Sequence, residues 1–227
     1  DLCFTRGIRT MGGTAVLRDF VPTQDGTVVA RLERAGAVLL GKLNLTEGAM
    51  VGYHRDFAVP VNPWNSDYWP GASSSGSGVA TAAGLCFASI GTDTGGSIRF
   101  PALANGTVGL KPTYGRVSRH GVLALAESLD HVGPLARRVA DAAVTLQAIA
   151  GRDEQDPTSL REPVPDMLAG LQAGVRGLRL GIDRRFCAEG TDPQLLAAIE
   201  SALATWSRLG AEIVSVDSML VYRGMDI

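Results

Sequence analysis

Two serines in glycine-rich segments, Ser73 and Ser97, have the residue type and the surroundings that covalent catalysis requires. Ser73 lies in PGASSSGSG (70–78), and Ser97 follows 24 positions later in GTDTGGSIR (91–99). A serine hydroxyl becomes an effective nucleophile only when a base accepts its proton. The two segments therefore predict a serine nucleophile, and the base that activates it has to come from another part of the protein.

The residues just before Ser97 are suited to binding an oxyanion. Attack by a hydroxyl group places negative charge on the carbonyl oxygen of the substrate, which fixed hydrogen-bond donors stabilise. Gly95 and Gly96 tolerate backbone dihedral angles that other residues avoid, so successive N–H groups can turn toward one point. A helix that begins at Ser97 would add the positive end of its dipole. We expect the N–H groups of Thr94, Gly95, Gly96 and Ser97 to form this anion site.

Two other interpretations of these segments fit the sequence less well. The Gly-Ser-Gly sequence at 76–78 lacks the third glycine of a dinucleotide-binding loop, and no Gly-Lys-Ser/Thr follows it. A serine–histidine–aspartate triad would need His54, His120 or His131, and the chain has no G-x-S-x-G sequence. Asp130 and His131 are neighbours, but adjacent residues of a strand point to opposite faces. A nucleotide site and a histidine triad are therefore both disfavoured.

The composition is that of a globular protein with a sizeable core. The 227 residues are 45% apolar, which suits one large domain or a piece of a larger one. The net charge is −2 and no basic tract is present, so we expect no direct contact with nucleic acid. The longest apolar run, 79–90, is too short and too polar to cross a bilayer, so we expect no membrane contact.

The cysteines also narrow the class of protein. Cys3, Cys86 and Cys187 are odd in number and widely spaced. This pattern is typical neither of a disulfide framework nor of a zinc site. We therefore expect no bound metal, and a cytoplasmic location follows as the default for a chain without disulfides.

Periodicity in the first half predicts alternating helices and strands. A helix over 27–35 leads into a short apolar strand, 37–40, which we expect to be buried on both faces. A long irregular segment, 51–72, precedes a helix of small residues near 76–84 and a central strand near 85–90. Helices that alternate with buried strands are typical of an α/β protein with a parallel or mixed sheet.

The second half continues this alternation. A helix near 97–103 holds a proline in its first turn, and an amphipathic helix spans 138–150 with Val139 on its buried side. Residues 151–177 predict surface loops and a short helix. Strands are expected at 178–182 and 212–216, on either side of a helix at 192–209 whose buried stripe contains Leu195, Leu196, Ile199, Leu203, Trp206 and Leu209.

Longer stretches of the sequence resemble the amidase signature family. They are LLGKLNLTE (39–47), PGASSSGS (70–77), GTDTGGSIR (91–99), VGLKPTYGR (108–116) and SLDHVGP (128–134). The resemblance implies an α/β protein with the amidase signature fold, in which helices cover both faces of a mixed central sheet. It also implies that 1–227 are part of a single amidase signature domain, with the signature core at about 26–150.

The same resemblance implies roles for individual residues in the hydrolysis of a small-molecule amide. Ser97 would be the nucleophile that forms an acyl-enzyme, and Ser73, after a cis peptide bond, would pass the proton between Ser97 and a lysine. Backbone amides from Thr94 through Ser97 would line the oxyanion hole, and Met50 would lie at the substrate pocket. No metal or organic cofactor takes part in this chemistry. The supporting residues would be Ser74, Asp93 and Arg99.

The resemblance also bears on the lysine. The catalytic lysine of the family belongs to a Lys-Asp pair and would lie directly before Asp1, whereas Lys42 falls in a different family stretch. The alternative, that Lys42 substitutes as the base, is disfavoured. Family members are longer than this chain, so we interpret 1–227 as an internal portion of an amidase. Its candidate partners are the remaining segments of its own chain and a second copy in a homodimer.

Three functions remain open at this point. The first is a stand-alone amidase that acts on small amides, aryl anilides or related acyl amines. The second is the glutaminase (A) subunit of a tRNA-dependent amidotransferase. The third, which applies if the lysine is absent, is an inactive fragment or a binding-only relative. Ala72 and Ser75 stand where many family members have glycine, and this favours the first function.

Overall fold

The computed structural model describes residues 1–50 and 52–216, and the chain forms two compact units, Asp1–Leu168 and Ala169–Ile227. Both units contain helices and strands, which confirms the predicted α/β class. The first unit contains α1 (Thr27–Arg34), α2 (Ser75–Ala82), β1 (Ala88–Asp93), α3 (Arg99–Asn105), β2 (Val108–Gly109), β3 (His131–Ala136) and α4 (Val139–Ile149). Two short 3-10 turns precede α2, at Ala15–Leu17 and Glu47–Ala49. The second unit contains β4 (Arg179–Ile182), α5 (Arg184–Ala188), α6 (Pro193–Arg208) and β5 (Glu212–Ser215).

Three antiparallel strands form the sheet of the first unit, in the order β1-β3-β2. The middle strand, β3, is buried along its length from Val132 to Ala136. The register of β1 and β3 places Asp93 opposite His131. The end of β1 and the start of β3 therefore lie side by side, and the segment that carries Ser97 begins at this point.

The strand expected at 85–90 is shifted along the chain. β1 begins at Ala88 and pairs with β3 alone among the described strands, so it is not the central strand. Leu85 and Phe87, which were expected inside it, are exposed. An apolar run predicts burial, but which of its residues pair with another strand depends on a partner that is distant in the sequence.

The small residues of α2 allow the helix to pack closely on its neighbours. A Cβ atom on Gly76 would lie 2.3 Å from the carbonyl oxygen of Asn44, so only glycine fits at this position. Three hydrogen bonds join the helix to β1: Ser77 Oγ donates to the Ile90 carbonyl at 2.8 Å, Ser89 Oγ donates to the Ser77 carbonyl at 3.0 Å, and the Thr81 and Ser89 hydroxyls bond to each other at 2.8 Å. The predicted close packing of a small-residue helix against the sheet is confirmed.

Helices α1 and α4 enclose the main apolar cluster. Both helices begin and end close to their predicted bounds. Val139 was expected on the buried side of α4 but is exposed, because the helix begins at that residue and its first turn extends beyond the cluster. The buried residues of the cluster are Val28, Val117, Val132, Leu146 and Ile149.

The strand predicted at 37–40 is wrong. Val38, Leu39 and Leu40 are exposed, and no strand is formed there. Among the described residues, no strand pairs with this segment, and its apolar side chains stay largely exposed. A run of apolar residues indicates that a segment favours burial, but the segment is buried only where a neighbouring strand covers it.

The second unit contains a parallel pair of strands, β4 and β5, and the long helix α6. The predicted start of α6 is confirmed, since the Asp192 side chain accepts a hydrogen bond from the Gln194 N–H and Pro193 is the first helical residue. Of the predicted buried stripe, Leu203 is buried, whereas Leu195, Trp206 and Leu209 are exposed. The short helix expected within 151–177 is absent, because this part of the described chain forms turns. Of the helices described, none is long and apolar enough to span a bilayer.

Candidate active site

The carboxylate of Asp93 organises the turn between β1 and α3. This side chain is fully buried, and its two oxygens accept hydrogen bonds from the N–H groups of Gly96 (2.8 Å), Ile98 (3.1 Å) and Arg99 (3.4 Å). The Arg99 guanidinium also donates to both oxygens, at 3.0 Å each. The turn therefore folds around one carboxylate, and Ser97 lies within it.

Opposing effects act on the pKa of Asp93. Burial of the carboxylate would raise the pKa, but the hydrogen bonds from Arg99, from the Ile98 and Gly96 amides and the positive charge of Arg99 outweigh burial and lower it. Asp93 is therefore ionised at neutral pH. The charge strengthens each hydrogen bond that holds the turn.

The Asp93 carboxylate gives a prediction for stability and its pH dependence. We expect Asp93→Asn to lower the free energy of unfolding by about 3 kcal/mol at pH 7, because the amide presents a donor where several donors already converge. Since the pKa of Asp93 is lowered by folding, its contribution is complete above the ordinary aspartate pKa of about 3.9 and is lost as the pH falls below that value. Urea unfolding between pH 7 and pH 3 measures the difference in unfolding free energy between variant and wild type. We expect this difference to become smaller in acid.

The control for this prediction is Asp67→Asn. Asp67 is exposed, and its carboxylate makes no hydrogen bond with the described residues. Its replacement should leave the unfolding free energy within about 0.5 kcal/mol of wild type. A gap between wild type and Asp93→Asn that stays constant from pH 7 to pH 3 would contradict the assigned role of the carboxylate.

Three backbone amides of the turn remain available to a ligand. The Gly96 N–H is engaged by Asp93. The N–H groups of Thr94, Gly95 and Ser97 make no hydrogen bond with any described residue. A Cβ atom built on Gly95 would meet no described atom within 4 Å, so the turn is open on that side. The sequence predicts four oxyanion donors here, and three of them are free.

The two glycines of the turn differ in what they require. Gly96 has a φ of +134°, and a Cβ atom there would lie 2.3 Å from the Phe100 ring. We expect Gly96→Ala to lower the free energy of unfolding by about 1–3 kcal/mol, because a non-glycine residue is strained in this conformation. Gly95→Ala is the matched control, since Gly95 has no positive φ and no described neighbour to displace. Thermal unfolding compares the two variants, and equal stability losses would contradict this assignment.

Ser73 is buried two residues before the start of α2 and follows a cis Ala72–Ser73 peptide bond. Its carbonyl accepts a hydrogen bond from the Thr46 N–H at 3.2 Å. Within the described residues, its side-chain oxygen has no hydrogen-bond partner. Buried hydroxyl groups are usually hydrogen-bonded, so an unpaired one is a candidate for a functional contact.

Ser74 joins the two serine segments. Its N–H donates to the Ser97 carbonyl at 3.2 Å. Its side-chain oxygen donates to the Thr92 carbonyl at 3.2 Å and accepts from the Thr92 N–H at 3.1 Å. Ser74, the neighbour of Ser73, is thus in direct contact with Ser97, although Ser73 and Ser97 are 24 positions apart. The structure brings together the two segments that the sequence singles out.

Lys42 lies near the N-terminal residues and is occupied by other groups. Its ammonium donates to the Cys3 carbonyl, to Thr5 Oγ1 (3.1 Å) and to Thr10 Oγ1 (3.0 Å), and it lies 3.5 Å from Asp1 Oδ1. An ammonium has three protons, so these three acceptors use all of them. Burial lowers the pKa of Lys42, and the neighbouring Cys3 opposes this effect. Lys42 makes no hydrogen bond to Ser73 among the described contacts, which agrees with its being a structural residue.

Thr46, a residue that the sequence analysis did not single out, connects Met50 to the site. The Met50 side chain is exposed, and its carbonyl accepts a hydrogen bond from Thr46 Oγ1 at 2.6 Å. Because the Thr46 N–H donates to the Ser73 carbonyl, Thr46 connects both backbones. Thr46 belongs to the stretch LLGKLNLTE, so the resemblance contained a signal for it.

Among the described residues, no cluster of histidine, cysteine and acidic side chains is arranged to hold a metal ion.

Comparison with known proteins identifies the family. The sequence model of the Amidase family matches residues 1–226. The chain belongs to the amidase family. The resemblance seen in the separate sequence stretches is thereby confirmed, and the serine segments of this amidase-family chain lie inside the matched region.

The relatives of this amidase-family chain bear names of two kinds. It is 60% identical over 183 residues to the Mycobacterium tuberculosis protein named "Putative amidase AmiD", a match that covers 81% of this chain and 38% of the relative. It is 53% identical over 218 residues to the glutamyl-tRNA(Gln) amidotransferase (A) subunit of Geobacter sulfurreducens, a match that covers 95% of this chain and 45% of the relative. The chain therefore spans less than half the length of these relatives.

A solved structure confirms the amidase signature fold. The crystal structure of the glutamyl-tRNA(Gln) amidotransferase (A) subunit from Thermotoga maritima superposes with a TM-score of 0.90 at 40% sequence identity. The match covers 94% of this chain and 48% of that protein. The fold implied by the sequence resemblance is thus found in the structure of the chain.

Proposed function

We propose that this protein is an amidase that cleaves a carboxylic amide through an acyl-enzyme on Ser97. The observation that carries the proposal is the contact between the serine segments: Ser74 N–H donates to the Ser97 carbonyl, and the neighbouring Ser73 side chain is buried without a hydrogen-bond partner in the described chain. One hydroxyl is thus next to free backbone amides, and a second hydroxyl is available to relay its proton.

The proposed reaction transfers the acyl group twice. A neutral lysine accepts the proton of Ser73 while Ser73 accepts the proton of Ser97, and Ser97 Oγ bonds to the amide carbon. The carbonyl oxygen becomes negative and accepts hydrogen bonds from the N–H groups of Thr94, Gly95 and Ser97. The C–N bond then breaks, and the relayed proton leaves with the amine. Water attacks the ester by the same relay, which releases the carboxylic acid and regenerates Ser97.

The lysine of this proposal is the residue that the family resemblance places directly before Asp1. The segment 43–46 supports this placement because it contacts both Asp1 and Ser73. The Asp1 backbone nitrogen donates to the Leu43 carbonyl at 3.0 Å, and the Thr46 N–H donates to the Ser73 carbonyl at 3.2 Å. A lysine preceding Asp1 would therefore extend from a residue that contacts the same short segment as Ser73 does. It must be neutral to accept a proton, so burial would have to lower its pKa.

Other residues of the site have supporting roles in this proposal. Asp93 and Arg99 hold the turn, and Ser74 fixes the distance between the two serine segments. Met50 contributes to the substrate pocket. The resemblance implied Gly96 as an oxyanion donor, but its N–H is engaged by Asp93, so the proposal uses the other three amides.

The proposed substrate is a small amide, with a stand-alone amidase favoured over the amidotransferase role. Ala72 and Ser75 replace glycines of the commoner pattern, and the sequence identity is higher to the relative named as an amidase. The alternative is the glutaminase component of a tRNA-dependent amidotransferase, which the 95% coverage of this chain by that match supports. We further propose a cytoplasmic protein whose two units belong to one amidase signature domain, with the remainder of its own chain or a second copy as partner.

A substrate panel tests this proposal. The intact protein is assayed for release of ammonia or amine from a short aliphatic amide, an acyl anilide, an amino-acid amide and glutamine, with Ser97→Ala as the blank. We expect the wild-type protein to hydrolyse at least one of the first three substrates, and Ser97→Ala to hydrolyse none of them. Glutamine hydrolysis that appears only with amidotransferase partner proteins would select the alternative. A binding-only protein would release nothing from any of the four in either form.

A further inference from the structure

Asp130 and His131 lie in the stretch SLDHVGP, and the proposed chemistry gives them no role. As consecutive residues they were expected to point to opposite faces of a strand. The structure shows that both reach the same turn by different routes. Asp130 contacts the Thr94 side chain, and His131 contacts the Asp93 carbonyl.

The contact of Asp130 is made with the Thr94 hydroxyl. Thr94 Oγ1 donates to Asp130 Oδ1 at 2.5 Å. The carboxylate is itself fixed, since it accepts from the N–H groups of Leu125 (2.8 Å) and Ala126 (3.0 Å to each oxygen). Asp130 is 8% exposed, so little water competes for these bonds. The Thr94 side chain is thus attached to a rigid acceptor.

The contact of His131 is made with the backbone. Its Nδ1 lies 3.1 Å from the Asp93 carbonyl oxygen and 2.6 Å from the Leu129 carbonyl oxygen. Carbonyl oxygens only accept hydrogen bonds, so Nδ1 carries the proton. The Asp93 carbonyl and the Thr94 N–H belong to one planar peptide group and point in opposite directions. By holding the carbonyl, His131 therefore sets the direction of the Thr94 N–H.

We propose that Asp130 and His131 are positioning residues that aim the Thr94 N–H at the oxyanion formed on the substrate. Asp130 fixes the Thr94 side chain, and His131 fixes the peptide plane that carries the N–H. Both residues act through Thr94, whose N–H is an oxyanion donor. The inference rests on the proposed function, because it assigns to Asp130 and His131 a part in the same reaction.

A comparison of three variants tests the Thr94–Asp130 contact in the intact protein. Thr94→Val keeps the shape of the side chain and removes the hydroxyl, and Asp130→Asn weakens the acceptor. We expect each to lower kcat by a factor between about 10 and 10² with KM changed less than about threefold, because an oxyanion donor acts in the transition state. The double variant should lose little more than the worse single variant, since both remove one interaction. Multiplicative losses, or losses confined to KM, would overturn the proposal.

Rescue by a matched side chain tests His131. His131→Leu removes the donor, whereas His131→Asn places an amide N–H near the position of Nδ1. We expect kcat to fall by a factor between about 10 and 10² in His131→Leu and to recover in part in His131→Asn. His120→Leu is the control, because the His120 ring makes no hydrogen bond with the described residues. Equal kcat values for the Leu and Asn variants of His131 would overturn the proposal.

Two further measurements separate this inference from other failures. Thermal unfolding of each variant identifies losses of activity that come from misfolding. Asp130 also accepts hydrogen bonds from the Leu125 and Ala126 amides, so Asp130→Asn could unfold the protein. In that event Thr94→Val alone tests the contact. Wild-type turnover that Ser97→Ala abolishes establishes the proposed function independently. If that turnover is present and Thr94→Val and His131→Leu both match wild type, the positioning role is wrong and the proposed function stands. If wild type releases no product, the proposed function itself fails.

Discussion

Ser97→Ala is expected to lower kcat for amide hydrolysis by about 10⁴- to 10⁶-fold in the intact protein. The physical reason is that the acyl group has no oxygen to bond to once the hydroxyl is removed, while the free amides of the turn remain. The Ser97 hydroxyl makes no hydrogen bond with the described residues, so the fold should be unaffected. Amine release under saturating substrate measures the loss, and thermal unfolding checks the fold.

The matched control for Ser97→Ala is Ser77→Ala. Ser77 is a buried serine that binds the Ile90 carbonyl and lies outside the reaction. Its replacement should cost about 1 kcal/mol of stability and leave kcat within a few-fold of wild type. If Ser97→Ala keeps more than a hundredth of the wild-type kcat, Ser97 is not the nucleophile.

Ser73→Ala is expected to lower kcat by about 10³- to 10⁴-fold with little effect on stability. The replacement removes the proposed proton relay. Because the described chain offers its hydroxyl no hydrogen-bond partner, its loss should change the unfolding free energy by no more than about 1 kcal/mol. Steady-state kinetics and urea unfolding on the same preparation measure both quantities.

The combination of these two results is the discriminating feature of Ser73→Ala. A purely structural buried serine, such as Ser89, which binds the Ser77 carbonyl and Thr81, should lose stability and keep its activity when replaced by alanine. The opposite pattern is expected at Ser73. A variant that unfolds more easily while retaining kcat would show that Ser73 holds the fold and has no part in proton transfer.

The parts of the site that are local in sequence could be predicted from the sequence. Asp93, the two glycines and Ser97 form one turn, and the hydrogen bonds of the Asp93 carboxylate that fold this turn lie within seven residues, 93–99. Glycine and serine types at fixed spacing therefore carried the information. The helix after Ser73 was predictable for the same reason, since small residues in succession permit close packing.

The parts that depend on distant partners could not be predicted. The β1–β3 register places His131 opposite Asp93, and no local pattern indicates which strand β1 will pair with. The contacts of Asp130 and His131 with the turn follow from that register. The same limit explains the segment 37–40, whose apolar residues predicted a buried strand but which has no pairing strand among the described residues. The direction of the Gly96 N–H was also not predictable, because the sequence allows this group to donate either to a ligand or to the Asp93 carboxylate.

Labelling with a fluorophosphonate tests the central claim, an activated Ser97, most directly. The reagent forms a covalent bond with an activated serine and releases fluoride, and the site is located by mass spectrometry of the digested protein. We predict one adduct per chain on the peptide that contains Ser97, no adduct in Ser97→Ala, and much slower labelling in Ser73→Ala. An adduct on a different serine, or no adduct on folded wild-type protein that hydrolyses an amide, would contradict the account.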